Sequence, residues 1–476
     1  MALEDIDHIV FVMLENRSFD HMLGYLSRGP NGRLDIDGIR DDEKWQREHA
    51  NYDSAGNEYR SEKLDRGERV QDPPHGPDWV SMQINTPKEV QFGPREMGGF
   101  VHSYFESRRK KGKKPPVHPG AVMGYYDAGD VWAFDFFARH YCVCKRWFTP
   151  LPAGTQPNRL MAMAGEAHYA KNKTLIPRHE LVYDWCRDNH VDWRVYIWGA
   201  VLPFFALMPE WWDEILGLKK GPRLFTHFNR LRDDWNGPAP VPKILFIEPE
   251  YSELRGKHAN DDHAPTRITG AQSFVADIYN ILIGNKERWA RTLLIITYDE
   301  HGGFFDHVPP LKIKGTAGKR SWDTTGPRVP AFLISQHVGP GTVFPGEVDH
   351  TAFLSLLAEK HTPKYHYSKN VFDRQQPYAA FARLSSALLP TARTEAPPPL
   401  PSPWRVNAMK LAIPFGFGPA DSPPDADTPT AAAFFEAAHR TAAQHPGVAA
   451  DLTGLPGYVN TTTAPEVKQE SHIGDE

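Results

Sequence analysis

Apolar residues along this chain fall into two rhythms. Residues 6–14 form a nearly unbroken apolar run rich in β-branched side chains, the pattern of a strand buried on both faces. Similar runs recur at 193–198, 243–247, 292–298 and 329–335. Between them, 131–147, 160–167, 270–283 and 350–359 repeat their apolar residues at helical spacing. Strands alternating with helices predict an α/β fold: a mainly parallel central sheet flanked by helices on both faces. Residues 28–125 break the rhythm, being rich in Gly, Pro, Asp and Arg, and read as a long surface insertion. Residues 390–429 are dense in proline and read as an extended connector, followed by an Ala-rich helix over 430–444 and a frayed tail. We therefore divide the chain into one large domain, 1–389, and a decorated end, 390–476.

Composition narrows the possibilities. With 40% hydrophobic and 24% charged residues, the chain is neither disordered nor membrane-buried as a whole. A net charge of −5 argues against nucleic acid held by bulk charge. Three cysteines supply neither a disulfide framework nor a four-ligand zinc site, and Cys142 and Cys144 read as helix residues near the core. The stretch from Met1 to Glu15 has no positive n-region and no cleavage site, so the expectation is a soluble protein, cytoplasmic or already processed. The basic run Arg108 to Lys114 reads first as a solvated loop and second as an attractor for an anionic membrane surface.

Candidate chemistry collects where strands end. One run exits into Glu15-Asn16, followed by a turn through Ser18, Asp20 and His21; another exits into Asp299-Glu300-His301, followed by Gly302, Gly303, Asp306 and His307. Ligands in open α/β sheets bind beyond the carboxyl ends of the strands. Three carboxylates and an amide there make a hard-oxygen set suited to one divalent cation, Ca, Mg, Mn or, with added His, Zn. A third piece, Gly154-Thr155-Gln156-Pro157-Asn158-Arg159, describes a helix start with Thr155 near the N-cap. A hydroxyl there meets an anion readily, and opposite a metal it becomes a nucleophile. The aromatic stretch from Pro203 to Trp212 reads either as a lid that meets lipid or as a segment packed on the core.

These segments together resemble a known family. The run from Glu15 to His21, the Thr155 to Arg159 segment, Ile247-Glu248-Pro249 with Asn260-Asp261-Asp262-His263, and the run from Thr297 to His307 are similar to the ordered motifs of the bacterial and plant phosphoesterases. That family includes non-specific phospholipases C and respiratory-burst-inhibiting acid phosphatases. The resemblance implies an alkaline phosphatase-like catalytic domain and hydrolysis of phosphoric esters. It assigns metal ligation to Glu15, Asn16, Asp299 and Glu300, and makes Thr155 the nucleophile of a covalent phospho-enzyme. Phosphate binding would fall to Asn16, Asn158, His75 and His263, and the catalytic histidines would be His75, His263 and His301. Ser18 would be structural, agreeing with its place at a strand-to-helix turn. The expected substrate is a phospholipid headgroup ester, with phosphate monoesters as the alternative and a non-catalytic binding protein as the reading from another class.

Overall fold

The computed structural model describes residues 2–65, 70–85, 96–198, 203–215, 219, 221–251, 259–362, 366–376 and 381–400. The Ala-rich helix and tail expected beyond 400 lie outside them. Eight strands form the central sheet: β1 His8–Leu14, β2 Cys142–Cys144, β3 Trp193–Ile197, β4 Phe225–His227, β5 Ile244–Glu248, β6 Thr292–Tyr298, β7 Ala331–Ile334 and β8 Val343–Phe344, in the order β8-β2-β7-β6-β1-β5-β3-β4. The run β6-β1-β5-β3-β4 is parallel throughout, and only β7 opposes its neighbours. Every residue of β5 and β6 is buried, as the unbroken apolar runs require of central parallel strands.

Alternate side chains show that both faces are covered. Phe11 of β1 sits in register with Phe246 and Ile295, and its ring stacks on Phe353 of the Thr351–His361 helix at 4.1 Å. Three residues along, Leu14 is in register with Tyr298, whose ring meets Phe134 of the Trp132–His140 helix on the opposite face. That helix is shorter than its apolar spacing suggests. Cys142 and Cys144, expected in a helix, instead form β2, because an apolar triplet has the same composition in either state and pairing with β7 and β8 decides it. All three cysteines are buried free thiols.

The long insertion has its own small core. Val80, Ile84, Phe100, Val101, Tyr104 and Val122 pack around Phe305, which comes from the loop beyond β6. Ordered helices Pro77–Ile84 and Phe100–Lys110 lie within it. The basic run closes the second of these, and Arg109 to Lys114 are exposed. The Pro203 to Trp212 stretch is no exposed lid: Phe204, Phe205, Leu207, Met208 and Trp211 are buried, with Trp211 and Phe205 edge-on to Tyr183. Among the described residues no helix is long and apolar enough to cross a membrane. After the last helices the chain returns to the core, where the Pro398 carbonyl accepts from the Tyr279 hydroxyl at 2.8 Å.

Candidate active site

Three neighbouring parallel strands, β6, β1 and β5, end on the same side of the sheet and deliver Asp299-Glu300, Glu15-Asn16 and Glu248. Pairing persists past the strand ends, with the Asp299 N–H donating to Leu14 O and the Glu15 N–H to Asp261 O. Asn16 then turns at φ +62°, the left-handed region that asparagine tolerates better than most residues. The turn lets its N–H donate to Asp299 Oδ1 at 3.1 Å, locking the two exits together. Neither the amide oxygen nor the amide nitrogen of Asn16 makes a hydrogen bond among the described residues, although the side chain is fully buried.

The Thr155–Ala164 helix aims its first turn at these exits. Its cap is Gly154, with Thr155 the first helical residue. One turn on, Arg159 donates from Nη2 to Glu15 Oε1 at 3.0 Å and from Nε to Asp299 Oδ2 at 3.3 Å. The Thr155 hydroxyl is buried and has no hydrogen-bond partner among the described residues. Asn158, expected at phosphate, is occupied elsewhere. Its Oδ1 accepts from the Leu151 N–H, and its Nδ2 donates to the carbonyls of Ala153 and Gly154, bracing the loop that leads into Thr155.

The insertion completes the wall. His75 Nδ1 donates to Pro73 O at 2.9 Å, which turns Nε2 toward Glu300 Oε1 at 4.0 Å. His263 reaches Glu15 and Asp72 from its two ring nitrogens, with Nδ1 3.6 Å from Glu15 Oε2 and Nε2 3.5 Å from Asp72 Oδ1. Asp72, His75 and His263 offer ligand-capable atoms within 4.8 Å of one another. His301 joins the site to the insertion: its Nδ1 lies 3.2 Å from Glu300 Oε2, its Nε2 meets Gln83 Oε1 at 2.8 Å, and Gln83 donates onward to Pro74 O and to the Ser103 hydroxyl. This close approach is permitted by Gly302 and Gly303, both at positive φ. A Cβ on Gly302 would lie 2.1 Å from Asn16 O, and one on Gly303 would lie 2.7 Å from Pro74 O.

Electrostatics follow from burial and crowding. Burial pushes the Asp299 carboxyl up to about 6 despite Arg159. Burial also opposes ionisation of Glu300, but the His75 and His301 imidazoles outweigh it and hold that carboxyl below its usual range. His75 is the reciprocal case: desolvation lowers it, Glu300 and Asp72 raise it, and the net shift is upward. Three buried carboxylates, one guanidinium between two of them, and two atoms without a hydrogen bond among the described residues, the Asn16 oxygen and Glu300 Oε1, make a donor set that fits a hard divalent cation. The second carboxylate–histidine group, Asp20, Asp306 and His307, does not fit one. There Arg328 Nη2 and Nε already occupy Asp20 and Asp306, and His307 is held by Asp20 and Asp37.

Comparison with known proteins shows the family. The profile of the phosphoesterase family matches residues 6–362. The chain belongs to that family. As a member it is a hydrolase acting on phosphoric ester bonds. Non-specific phospholipase C6 of Arabidopsis thaliana is 27% identical over 431 residues, covering 85% of this chain and 77% of that protein. Non-specific phospholipase C4 of the same plant is 28% identical over 369 residues, and the chain spans only 64% of its length. Phospholipase C A of Mycobacterium tuberculosis (strain ATCC 25618 / H37Rv) is 27% identical, covering 75% of this chain and 72% of that one. Among solved structures, an alkaline phosphatase superfamily protein from Vibrio parahaemolyticus superposes with a TM-score of 0.28 at 9% identity, over 48% of this chain and 60% of that one. The phosphonate monoester hydrolase of Agrobacterium radiobacter gives 0.29 at 12% identity, over 48% and 68%. Scores so low carry no argument; the sheet order describes the fold.

Three residues of this candidate site escaped the sequence. Arg159 stood in view as the last residue of the second motif, and its spacing of four from Thr155 placed it on the same helical face. Glu248 ended a strand run just as Glu15 and Asp299 follow theirs, which was the available signal. Gln83, the support of His301, had none: only the packing of the insertion brings it there.

Proposed function

We propose that this phosphoesterase cleaves phosphodiester lipids as a phospholipase C, through a covalent intermediate on Thr155. The observation that supports this most is the set of buried polar atoms left without hydrogen bonds among the described residues: the Thr155 hydroxyl, both amide atoms of Asn16 and Oε1 of Glu300. Buried polar atoms are almost always paired, so a cluster shared by two strand exits and a helix start marks a site built for a ligand. Glu15, Asn16, Asp299 and Glu300 would hold one divalent cation; when bound, it supplies positive charge that lowers the pKa of a hydroxyl and offsets charge on phosphoryl oxygens.

Within that frame the chain's own groups divide the work. Thr155 Oγ1 attacks phosphorus in line and its proton passes to solvent or a neighbouring carboxylate. Asn16 Nδ2 and the Thr155 N–H at the helix start bind equatorial oxygens, and His75, its pKa raised, adds a positive charge. His263 gives its proton to the glycerol oxygen as the phosphorus–oxygen bond breaks, releasing diacylglycerol. Water then attacks phosphorus, the bond to Oγ1 breaks, and the phosphorylated headgroup leaves with Thr155 restored.

The decisive experiment incubates Thr155→Ala and the parent with a chromogenic phosphodiester, a chromogenic monoester and a panel of phospholipids, with manganese present. Headgroup release by the parent and none by Thr155→Ala supports the reading. Turnover of the monoester alone would make the protein a phosphatase, and unchanged turnover in Thr155→Ala would remove the intermediate.

A further inference from the structure

Arg159 holds two carboxylates from different strands instead of one. Its Nε and Nη2 form a single edge of the guanidinium, and that edge is split between Asp299 Oδ2 at 3.3 Å and Glu15 Oε1 at 3.0 Å. A guanidinium beside a carboxylate gains most from gripping both of its oxygens in parallel, so a bridging pose needs something to hold it. The far nitrogen is held. Nη1 donates to the Tyr251 hydroxyl at 3.1 Å, and that hydroxyl donates to Glu248 Oε2 at 3.3 Å. The same Oε2 accepts the Phe204 N–H at 2.6 Å. The plane is also fixed from its faces, with the Phe204 ring centroid 4.6 Å and the Tyr251 centroid 5.0 Å from the guanidinium carbon. All six residues are buried.

We propose that Glu248 and Tyr251 are positioning residues that act through Arg159: they pin its outer nitrogen so that its inner edge straddles Glu15 and Asp299 and sets both carboxylates toward the cation. This rests on the reading of Glu15 and Asp299 as metal ligands. The relay explains why β5, whose exit holds no proposed ligand, ends in a buried acid beside its two neighbours. It also gives the aromatic stretch after Pro203 a place in the site, as the wall that closes over Arg159. Without the tyrosine hydroxyl, only long contacts from Nη2 to Met13 O at 3.4 Å and Leu14 O at 3.5 Å resist rotation of the guanidinium onto one carboxylate, which would leave the other misaligned and uncompensated.

The test uses Tyr251→Phe, which keeps the ring over Arg159 and removes only the link, with Glu248→Gln as the second variant. Titration of the full chain with manganese(II) alone should show binding weaker by about 10-fold or more in each, the usual cost of losing a group that orients a metal ligand. With the chromogenic diester, kcat should fall by a similar factor while KM stays within about twofold, because substrate contacts are untouched. In metal-free protein, the losses of melting temperature in Tyr251→Phe and Glu15→Gln should fail to add, since both act on one guanidinium. Parent-like manganese affinity in both variants, or additive losses, would overturn the proposal. Should even the parent bind no manganese while the losses remain non-additive, the relay stands and the metal reading of the site is what fails.

Discussion

The two motifs that end β1 and β6 each build two buried charge clusters, and the clusters are opposites. Their first residues, Glu15-Asn16 and Asp299-Glu300, form the candidate active site. Residues a turn later, Asp20 and Asp306-His307, form a second cluster with Asp37 and Arg328. In the second every charge is answered: Arg328 bonds Asp20 and Asp306, His307 bonds Asp20 and Asp37, and the Asp20 and Val308 N–H groups donate to Asp306. In the first, Asn16, Thr155 and Glu300 keep polar atoms that no described residue satisfies. Asp20, Asp306 and Arg328 are as buried as Glu15, Asp299 and Glu300, and only Asp37 reaches toward solvent, its side chain 32% exposed. A completed cluster fastens the chain, here tying both motifs to Asp37 of the insertion, whereas an incomplete one pays for its burial only when a ligand arrives.

That contrast predicts where mutations strike. Thr155→Ala should lower turnover by about 10³-fold or more, with the urea midpoint little changed, because it removes a nucleophile and no protein contact. Arg328→Met should do the reverse, costing about 3–5 kcal/mol in urea unfolding by stranding Asp20 and Asp306; a stable Arg328→Met would dissolve the distinction. Gly302→Ala should cost about 1–3 kcal/mol and slow turnover as well, since its Cβ strikes the Asn16 carbonyl at the join between the clusters. Ser18→Ala should cost about 1–2 kcal/mol and keep most activity, as its hydroxyl caps the His21 N–H and donates to Phe305 O.

The smallest effect is a dependence on pH. Burial lowers the His307 imidazole, but Asp20 and Asp37 outweigh it and raise its pKa to about 9. A raised histidine stabilises fully below its unfolded value of about 6.5, and that contribution is lost as pH climbs through 9. Asp306, pushed up by burial to about 6, acts in a lower window. The urea midpoint should therefore fall between pH 7 and 9.5, and His307→Gln should flatten the slope. An unchanged slope in the variant would place the titrating group elsewhere.

Much of this architecture was legible beforehand. The five long apolar runs all became strands, and the alternation with helices announced a parallel sheet, because strands buried on both faces must be apolar throughout. Short strands at or next to the sheet's edges were not legible: Cys142–Cys144, Phe225–His227 and Val343–Phe344 are two or three residues long and owe their state to partners. Within the site, residues at strand exits could be named from their position after an apolar run. Asn158 misled, since an amide near a helix start serves a loop as well as a phosphate.

The sequence by itself determined which residues carry charge at the strand ends, because local periodicity places a strand's exit wherever the apolar run stops. Only the tertiary structure decided which of those charges are satisfied. Asp20 and Glu15 stand five residues apart in one motif, yet one meets Arg328 from 308 positions away and the other meets Arg159 from 144. Such pairings depend on sheet order and on how the insertion folds back to bring Asp37, His75 and Gln83 inward. Hydrophobic pattern is a property of neighbours in the chain; compensation of buried charge is a property of neighbours in space.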